Sequence, residues 1–429
     1  MRLGGRLEGA ISVLADIDAR KRPVADALKD WGLAHRFAGS GDRAAIGNIV
    51  YDALRMRLSH AYLMDDDSAV AIAHAVMFRQ WGFTPEKLAA ELVDDKFAPA
   101  PLSADSLAAF TSRSLSDAAP HVQGDIPEWV QSSFEQAFGG EWLSEAQALA
   151  GRPTLDLRAN ILKATREKAA KALERAGANE AKIARYGIRI PAGEGASRLP
   201  NVTAELSFQK GWFEVQDEGS QIVADLVLPR DGDQVLDYCA GGGGKTLAMA
   251  AAMHNKGQVH AYDADRKRLA PIIERLKRAG TRNVQVHDDI RGLSGLRDRC
   301  DKVLVDAPCT GTGTWRRRPD TKWRLTVKNL DERTAQQQDA LKQASGFVRP
   351  GGELIYVTCS VLPQENEEQV RRFAADHGDF EIVGALPAWD SLFGKESTRP
   401  RSSDGKTITL TPASTDTDGF FFCRLKRIG

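Results

Sequence analysis

Two cysteines, Cys309 and Cys359, stand in short polar segments where a thiol could act as a nucleophile. Cys309 lies in DAPCTGTG and Cys359 lies in TCS, and each follows an apolar run directly. A thiolate that adds to carbon 6 of a cytosine makes carbon 5 reactive toward an electrophilic methyl group. A second thiol and a nearby carboxylate suit the later step in which the carbon-5 proton leaves and the first thiol is expelled. These residue types suit nucleophilic catalysis, and methyl transfer to carbon 5 of a cytosine is a reaction that would use all of them.

The strands that precede these cysteines must bring them together. Five segments read as strands, each followed by a loop and a helical pattern: QVLDY, QVHAYD, NVQVHD, KVLVDA and ELIYVT. This succession is typical of a doubly wound, mostly parallel α/β sheet, in which the carboxyl ends of the strands face one ligand crevice. We therefore expect Cys309 and Cys359 to reach one site, whereas Cys300 and Cys423 are expected to be buried apolar residues.

A glycine-rich loop follows the first of these strands and leads into an apolar helix. Its residues are Cys239, Ala240, Gly241, Gly242, Gly243, Gly244 and Lys245. Glycines in such a turn let a ligand approach the backbone N–H groups at the start of the helix. The end of the loop also matches the end of a phosphate-binding P-loop motif. The first glycine of that motif would fall on Cys239, and this mismatch disfavours a nucleoside triphosphatase.

Acidic residues end the second and third predicted strands. Asp263 is placed to accept hydrogen bonds from both ribose hydroxyls of a nucleoside cofactor. Asp265 is expected to cap the following helix. Asp288 could meet an adenine amino group, although a surface carboxylate in a loop would look the same. The two strand ends therefore predict a nucleoside pocket.

The chain divides into three predicted domains. Residues 1–135 are helical, as the apolar spacing of Ile46, Ile49, Val50, Ala53 and Leu54 illustrates. Residues 136–208 read as a small α+β module with strands in TLDLRAN and YGIRIP around a helical REKAAKALERAG. Residues 209–429 form the doubly wound domain, which we expect to close on an antiparallel hairpin containing GFFFCRLKRI.

The net charge of zero hides an uneven distribution. Residues 61–140 hold 12 acidic and 4 basic side chains, whereas residues 310–349 hold 9 basic and 4 acidic ones. A basic segment of this kind fits either an RNA-binding face or an ordinary solvated surface.

Composition also limits cofactors and location. No C-x-x-C motif and no clustered histidines occur, so neither a disulfide framework nor a metal site is expected. No run of 18 apolar residues occurs, so we expect no membrane span and no secretory signal. The expectation is a cytoplasmic protein, which we take to be a monomer.

The motifs DAPC and TCS, together with the loop CAGGGGKT, resemble the NOL/NOP/Sun family of RNA cytosine-5 methyltransferases. The segments FEVQDEGSQ, RRRPDTKW, TCSVLPQENEEQV and DGFFFCRLKR resemble members of that family that modify small-subunit ribosomal RNA. The N-terminal AGSGDRAAIGNIVYDALR resembles the helical, antiterminator-like RNA-binding domain of those members. The resemblance covers most of the chain and implies a class I, Rossmann-like methyltransferase domain.

The resemblance implies a role for each matching residue. Cys359 would be the nucleophile, Cys309 would help to resolve the adduct, and Asp306 would hold the polar edge of the cytosine. S-adenosylmethionine would bind at Asp263, Asp288 and Asp306 and along the loop from residue 239 to residue 245. RNA, favoured as ribosomal RNA with transfer RNA as an alternative, would meet Arg316, Arg317, Arg318 and Lys322.

One departure from the family lies in the glycine loop. The family usually has alanine or serine followed by proline where this chain has Gly241 and Gly242. Proline restricts the unbound loop, so its replacement costs about 0.4 to 1 kcal/mol. The change removes no atom that the chemistry needs.

Two rival functions follow from these features. A non-catalytic RNA-binding or assembly factor could carry a decayed methyltransferase domain, but retention of both thiols argues against it. DNA cytosine methyltransferases resemble this chain in using a proline–cysteine nucleophile after the fourth strand, but they do not need Cys359. The second thiol therefore favours RNA.

Overall fold

The computed structural model describes all residues from 1 to 429, which form two compact units. The helical unit comprises residues 1–153, 192–199 and 315–325. The sheet unit comprises residues 154–191, 200–314 and 326–429. Two short later segments therefore fold with the N-terminal helices.

Ten α-helices form the N-terminal part of the helical unit. They are α1 (Leu3–Arg20), α2 (Val24–Ala34), α3 (Ser40–Arg55), α4 (Arg57–Met64), α5 (Ala69–Arg79), α6 (Pro85–Leu92), α7 (Ala104–Ser112), α8 (Pro120–Gln123), α9 (Gln131–Phe138) and α10 (Trp142–Leu149). Side chains of Ser68, Thr84 and Ser103 accept hydrogen bonds from backbone N–H groups at the starts of α5, α6 and α7. Such caps satisfy donors that have no partner within the helix. The helices continue beyond residue 135, where the predicted helical domain ended.

The core of the helical unit lies between α1, α3 and α5. The predicted apolar face of α3 is fully buried there, and it meets Leu7 and Leu14 of α1 and Val76 of α5 in one apolar cluster. Full burial of an isoleucine, leucine or valine side chain contributes roughly 1.5–3 kcal/mol to the free energy of folding. The 3.6-residue periodicity of the sequence thus identified this face correctly.

A small antiparallel sheet opens the sheet unit. Its strands are β1 (Leu155–Ala159), β2 (Asn179–Glu180), β3 (Gly187–Ile190) and β4 (Phe213–Val215), in the order β2-β3-β1-β4, with helices α11 (Arg166–Ala172) and α12 (Leu206–Gln209) between them. The two predicted strands of the α+β module are β1 and β3. The last strand, β4, follows the predicted end of that module at residue 208.

An eight-stranded sheet dominates the sheet unit. Its strands are β5 (Gln234–Asp237), β6 (Gln258–Tyr262), β7 (Val284–His287), β8 (Cys300–Asp306), β9 (Val348–Thr358), β10 (Phe380–Val383), β11 (Thr407–Leu410) and β12 (Phe420–Arg427). The order is β10-β12-β9-β8-β5-β6-β7, with β11 paired to β12. Neighbours from β9 to β7 are parallel, and β12 is antiparallel to β9, β10 and β11. The five predicted parallel strands and the antiparallel closure are confirmed.

Helices precede, connect or follow the strands of this sheet. They are α13 (Glu218–Asp225), α14 (Gly244–Ala252), α15 (Arg266–Leu269), α16 (Ile272–Ala279), α18 (Val327–Ser345), α19 (Glu367–Asp376), α20 (Ala385–Phe393) and α21 (Pro412–Thr415), whereas α17 (Pro319–Arg324) belongs to the helical unit. Strand β5 lies between β8 and β6, so the chain reverses its direction of travel across the sheet there. Open α/β sheets bind ligands at the carboxyl ends of strands beside such a reversal.

None of the helices combines the length and the apolar character needed to cross a lipid bilayer. All five cysteines are free thiols. No group of three or more histidine, cysteine, aspartate or glutamate side chains is arranged to hold a metal ion.

Candidate active site

The two cysteines singled out in the sequence lie side by side. Cys309 follows β8 and Cys359 follows β9, and their Sγ atoms are 3.3 Å apart, within hydrogen-bond distance for sulfur. The parallel pairing of β8 with β9 ends with Asp306 opposite Val357. The segments that follow the two strands therefore leave the sheet at the same edge. Both side chains are half-buried. The sheet topology therefore brings together two cysteines that are 50 residues apart in the sequence.

A buried carboxylate, Glu365, fixes the loop that carries Cys309. The backbone N–H of Thr310 donates to Glu365 Oε1 at 2.8 Å, and the Thr310 hydroxyl donates to Oε2. The Gln337 amide donates to Glu365 Oε1 and to the carbonyl of Pro308, both at 3.0 Å. Burial raises the pKa of Glu365 above its ordinary value. Glu365 was not predicted from the sequence, where its only signal is an acidic side chain shortly after TCS.

Backbone contacts tie the Cys359 loop to the same region. The N–H of Gly313 donates to the Cys359 carbonyl at 3.0 Å, and the N–H of Gly419 donates to the Gly313 carbonyl at 2.8 Å. A Cβ atom on Gly313 would lie 2.2 Å from the Gly419 carbonyl oxygen, far inside contact distance. Only glycine fits at Gly313. The segments after β8 and β9 and the turn before β12 therefore hold one another.

The thiols differ in their electrostatic surroundings. The hydrogen bond with Cys359, followed by burial, raises the pKa of the Cys309 thiol well above its ordinary value. Cys309 is therefore held as a protonated thiol at neutral pH while Cys359 stays beside it. A thiol that donates a hydrogen bond to a neighbouring sulfur favours a thiolate on that neighbour.

A buried ion pair lies at the same edge of the sheet. Lys245 Nζ, at the start of α14, is 2.6 Å from Asp306 Oδ2, at the end of β8. Burial lowers the pKa of Lys245, but attraction to Asp306 and the hydrogen bond between them outweigh it and raise the pKa. Lys245 is therefore a permanent cation that orients Asp306. The sequence had singled out Lys245 without indicating its partner.

Asp263, directly after β6, holds the glycine loop. The N–H of Gly241 donates to Asp263 Oδ2 at 2.9 Å, and the N–H of Asp265 donates to Oδ1 at 2.8 Å. Asp263 is buried, and Gly241 has a φ of +49°, a conformation that favours glycine. Asp265 accepts a hydrogen bond from the Lys267 N–H and caps α15, as the sequence predicted.

A second acidic residue near the loop was missed in the sequence. Asp237, the last residue of β5, is buried and accepts a hydrogen bond from the Thr246 hydroxyl at 2.6 Å. Burial raises the pKa of Asp237 to about 7, and the negative charge of Asp306 adds to the effect. Its signal was the aspartate in LDYC, immediately before the loop. This carboxyl is half protonated near neutral pH.

Comparison with known proteins shows which family this chain belongs to. Residues 224–426 match the family described as "16S rRNA methyltransferase RsmB/F", and residues 126–193 match a ferredoxin-like domain of RsmF/B-like methyltransferases. The protein named "Probable ribosomal RNA small subunit methyltransferase B" from Synechocystis is 32% identical over 315 residues, which cover 71% of this chain and 67% of that protein. This chain belongs to the RsmB/F family. Its curated relatives are matched over about two thirds of their length.

Solved structures share the fold of this RsmB/F chain. The protein PH0851 superposes with a TM-score of 0.73 at 23% identity, covering 100% of this chain and 99% of PH0851. NSun6 from Pyrococcus horikoshii, solved with SFG, superposes with a TM-score of 0.59 at 22% identity, covering 71% of this chain and 98% of that one. The predicted Rossmann-like methyltransferase fold and the resemblance to the NOL/NOP/Sun family are confirmed.

S-adenosylmethionine is the cofactor of RsmB/F enzymes, and the residues at this sheet edge fit it. The buried Asp263 carboxylate retains lone pairs beyond the two backbone hydrogen bonds and faces the loop, as a ribose-binding residue must. The first N–H groups of α14 follow the loop directly and suit the carboxylate of the methionine part. Asp288, after β7, is 75% exposed in its side chain and could reach an adenine only from the rim of the pocket.

Other residues of the loop line the same path. Cys239 and Ala240 are half-buried, and the N–H of Ala240 donates to the Tyr262 carbonyl at 2.8 Å, which anchors the loop to β6. Gly243 has a φ of +79°, and a Cβ there would lie 2.5 Å from Ile272 Cγ1. Glycine at this position lets α16 approach the loop closely.

The basic segment predicted to meet RNA lies in the helical unit. Lys322 is 1% exposed, and its ammonium donates to the carbonyls of Arg55 at 3.0 Å and Asp125 at 2.7 Å. Burial lowers the pKa of Lys322 to about 8. Arg316 is 3% exposed. Burial of both side chains corrects the expectation that they offer RNA a free cation, because their positions give them a structural role inside the unit.

Two arginines of that segment remain near the surface. Arg317 is half-buried and Arg318 is exposed. Trp315, just before the three arginines, is buried and stacks on Phe134, with ring centroids 5.9 Å apart. The segment is therefore anchored by its tryptophan and lysine, and it presents Arg318 to solvent.

Proposed function

We propose that this chain transfers a methyl group from S-adenosylmethionine to carbon 5 of a cytosine in RNA, through a covalent adduct on Cys359 that Cys309 resolves. The observation that carries the proposal is the distance of 3.3 Å between the two Sγ atoms, at the sheet edge that also holds the Lys245–Asp306 pair. One thiol alone could serve binding or packing. Two thiols in contact with each other, beside a buried cation and a carboxylate, supply both halves of a nucleophilic cycle.

The first step is addition of Cys359 to the ring. Its sulfur forms a bond to carbon 6, and the electrons of the double bond between carbons 5 and 6 become available at carbon 5. Attraction to Cys359 contributes to the raised pKa of Lys245, so the ammonium and a thiolate at Cys359 stabilise each other. The Sγ of Cys309, at 3.3 Å, is close enough to donate a hydrogen bond to that thiolate.

Asp306 orients the base for this attack. Its side chain is 30% exposed, and its Oδ2 is held by Lys245. The remaining acceptor sites of the carboxylate suit the exocyclic amino group of a cytosine, which donates hydrogen bonds where uracil has a carbonyl. Lys245 thus positions Asp306, and Asp306 selects the base.

Bound S-adenosylmethionine supplies an electrophilic methyl group on a sulfonium centre. Asp263, Asp288 and the loop from residue 239 to residue 245 would hold it beside the thiols. Carbon 5 takes the methyl group, and S-adenosylhomocysteine is the leaving group. No metal ion takes part in this scheme.

Resolution of the adduct is the role of Cys309. Once Cys359 is bonded to carbon 6, it no longer carries the charge and hydrogen bond that raise the pKa of Cys309. Cys309 then loses its proton to solvent more readily and becomes a base for the proton on carbon 5. The electron pair of that C–H bond restores the ring double bond, and the bond between carbon 6 and Cys359 breaks.

The proposed substrate is small-subunit ribosomal RNA. The support is the name of the relatives, which are ribosomal RNA small subunit methyltransferases. We infer that the helical unit contributes RNA affinity, with Arg318 as an exposed cation for phosphate. Transfer RNA is the alternative substrate that the experiment below separates from this one.

The proposal is tested by bisulfite mapping of total RNA from a strain that lacks the protein. Complementation with the wild-type chain should restore 5-methylcytosine at one position of small-subunit ribosomal RNA, and complementation with Cys359→Ala should not. Restoration at a transfer RNA position would replace the proposed substrate. Restoration by Cys359→Ala would reject the proposed nucleophile.

A further inference from the structure

The glycine loop of this chain is held by an arginine that the proposed chemistry does not use. Arg275 of α16 directs its Nη1 at the carbonyl of Gly242, with a distance of 2.5 Å. Glycine leaves the backbone at this position more conformational freedom than any other residue does. A flexible residue at the cofactor loop is therefore met by a charged hydrogen-bond donor.

Arg275 is itself braced by a buried carboxylate. Its Nε and Nη2 atoms donate to Glu214 Oε2 at 3.1 and 3.0 Å. The side chain of Glu214, in β4, is only 3% exposed. Paired contacts of a planar guanidinium with one carboxylate fix its orientation as well as its position. Nη1 is thereby aimed at the loop.

A second arginine, which is buried, contacts the same loop. Arg158 of β1 donates from Nη1 to the carbonyl of Gly244 at 3.3 Å. Burial lowers the pKa of Arg158 to about 10, and attraction to Glu214 opposes this shift. Residues of the small antiparallel sheet thus determine where the loop carbonyls point, both directly through Arg158 and through the Glu214–Arg275 pair.

The direction of these carbonyls matters for cofactor binding. A peptide unit is planar, so fixing the Gly242 carbonyl also fixes the N–H of Gly243 on the other side of the same unit. The Gly243 N–H closes the turn to the Ala240 carbonyl at 2.9 Å, immediately before α14. Restraining a binding loop in one conformation reduces the entropy that ligand binding must remove.

We propose that Arg275, braced by Glu214, is a positioning residue that holds the glycine loop in its cofactor-binding conformation and supplies a restraint that the glycines of the loop lack. The residue does not touch the reacting atoms. Its loss should weaken cofactor binding and leave the chemical step at saturating cofactor unchanged.

A neighbouring arginine offers a matched control. Arg278 also pairs with Glu214, at 2.5 Å from Oε1, and is exposed to the same extent, but its guanidinium lies over the Phe208 ring at 4.1 Å. Arg275→Met and Arg278→Met each remove one cation from Glu214, and only Arg275→Met frees the Gly242 carbonyl. Arg275→Lys retains a cation that can reach the carbonyl but not the paired contact.

The experiment measures S-adenosylhomocysteine binding by calorimetry and amide hydrogen exchange of residues 239–245 in the cofactor-free full chain. Arg275→Met should raise the Kd about three- to tenfold, roughly 0.6 to 1.4 kcal/mol, and should speed exchange in the loop. Arg278→Met should do neither, and Arg275→Lys should recover part of the affinity. At saturating S-adenosylmethionine, kcat of Arg275→Met should stay within about twofold of wild type.

Either of two results would overturn the proposal. An equal loss of affinity in Arg275→Met and Arg278→Met would assign the effect to the charge balance at Glu214. Unchanged affinity and unchanged exchange in Arg275→Met would show that the loop keeps its conformation without the arginine. Thermal unfolding of all three variants separates these results from a general loss of stability.

Discussion

Cys309 Sγ lies 3.3 Å from Cys359 Sγ at the carboxyl edge of two adjacent parallel strands. The contact makes the two thiols inequivalent, because the hydrogen bond raises the pKa of Cys309. A division of labour between nucleophile and resolving residue follows from this asymmetry.

Replacement of each thiol should produce a different defect. Cys359→Ala should abolish methyl transfer from tritiated S-adenosylmethionine to RNA, because no nucleophile can activate carbon 5. Cys309→Ala should form the adduct and fail to release it, which a denaturing gel shows as a protein–RNA band of reduced mobility. The buried Cys423→Ala serves as the control and should do neither. A gel without the band, combined with lost activity in Cys309→Ala, would give Cys309 a different role.

The Lys245–Asp306 pair predicts a loss of activity without loss of RNA affinity. Lys245→Met should lower kcat by about 100-fold, on the order of 3 kcal/mol, because Asp306 loses its orienting partner and Cys359 loses a nearby cation. The exposed Lys256→Met is the control, since Lys256 pairs with Asp231 at the surface. Single-turnover kinetics on RNA should show the defect in the methyl-transfer step, and a normal rate would remove Lys245 from the mechanism.

The tight contact between Gly313 and Gly419 predicts that substitution of Gly313 lowers both the stability and the activity of the protein. Gly313→Ala should destabilise the sheet unit by about 1–3 kcal/mol, because the added methyl group must displace the Gly419 carbonyl. The shift should also reach Cys359, whose carbonyl accepts the Gly313 N–H. Gly378→Ala, where nothing lies within 4 Å of the added Cβ, should change stability little. Urea unfolding and methyl-transfer rates test both effects.

Burial of Lys322 predicts a pH-dependent stability of the helical unit. Its pKa is lowered to about 8 in the folded chain, below the value of 10.5 for a free lysine. Between these two values the unfolded chain binds more protons, so stability should rise as the pH increases from about 8 to about 10.5. The gain should reach about 3 kcal/mol at most.

The comparison with Lys322→Met isolates this contribution. The difference in free energy of unfolding between wild type and Lys322→Met should shift in favour of wild type across that pH range, because methionine does not titrate. Urea unfolding at several pH values provides the measurement. A difference that stays constant from pH 7 to pH 10.5 would show that the Lys322 ammonium keeps an ordinary pKa in the folded chain.

Arg318 predicts a salt-dependent contribution to RNA binding. Arg318→Ala should weaken RNA binding and reduce the slope of log K against log salt by roughly 0.7 to 0.9 if one phosphate contact is lost. Arg20→Ala, which removes another exposed arginine of the helical unit, is the control and should leave the slope unchanged. Filter binding between about 50 and 200 mM salt tests the pair. Equal slopes for wild type and Arg318→Ala would exclude Arg318 from the RNA-binding surface.

Local pattern explains why much of this molecule could be predicted. The apolar strands KVLVDA and ELIYVT have the composition of buried parallel strands, and strand ends in a doubly wound sheet share one edge. The convergence of Cys309 and Cys359 was therefore predictable. The helical face at Ile46 and Ile49 was predictable for the same kind of reason, because the spacing of its apolar residues is a local feature of the sequence.

Residue types, the order of strands and helices and the resemblance to a methyltransferase family can all be read from the sequence, since they depend on residues that are close together in it. Which charges are accessible depends on the folded chain. Lys322 reads as an RNA contact in a basic run, yet its ammonium lies among the carbonyls of Arg55 and Asp125. Partners such as Lys245 and Asp306, or Arg275 and Gly242, are 61 and 33 residues apart, and only the folded chain brings a buried charge to the group that compensates it.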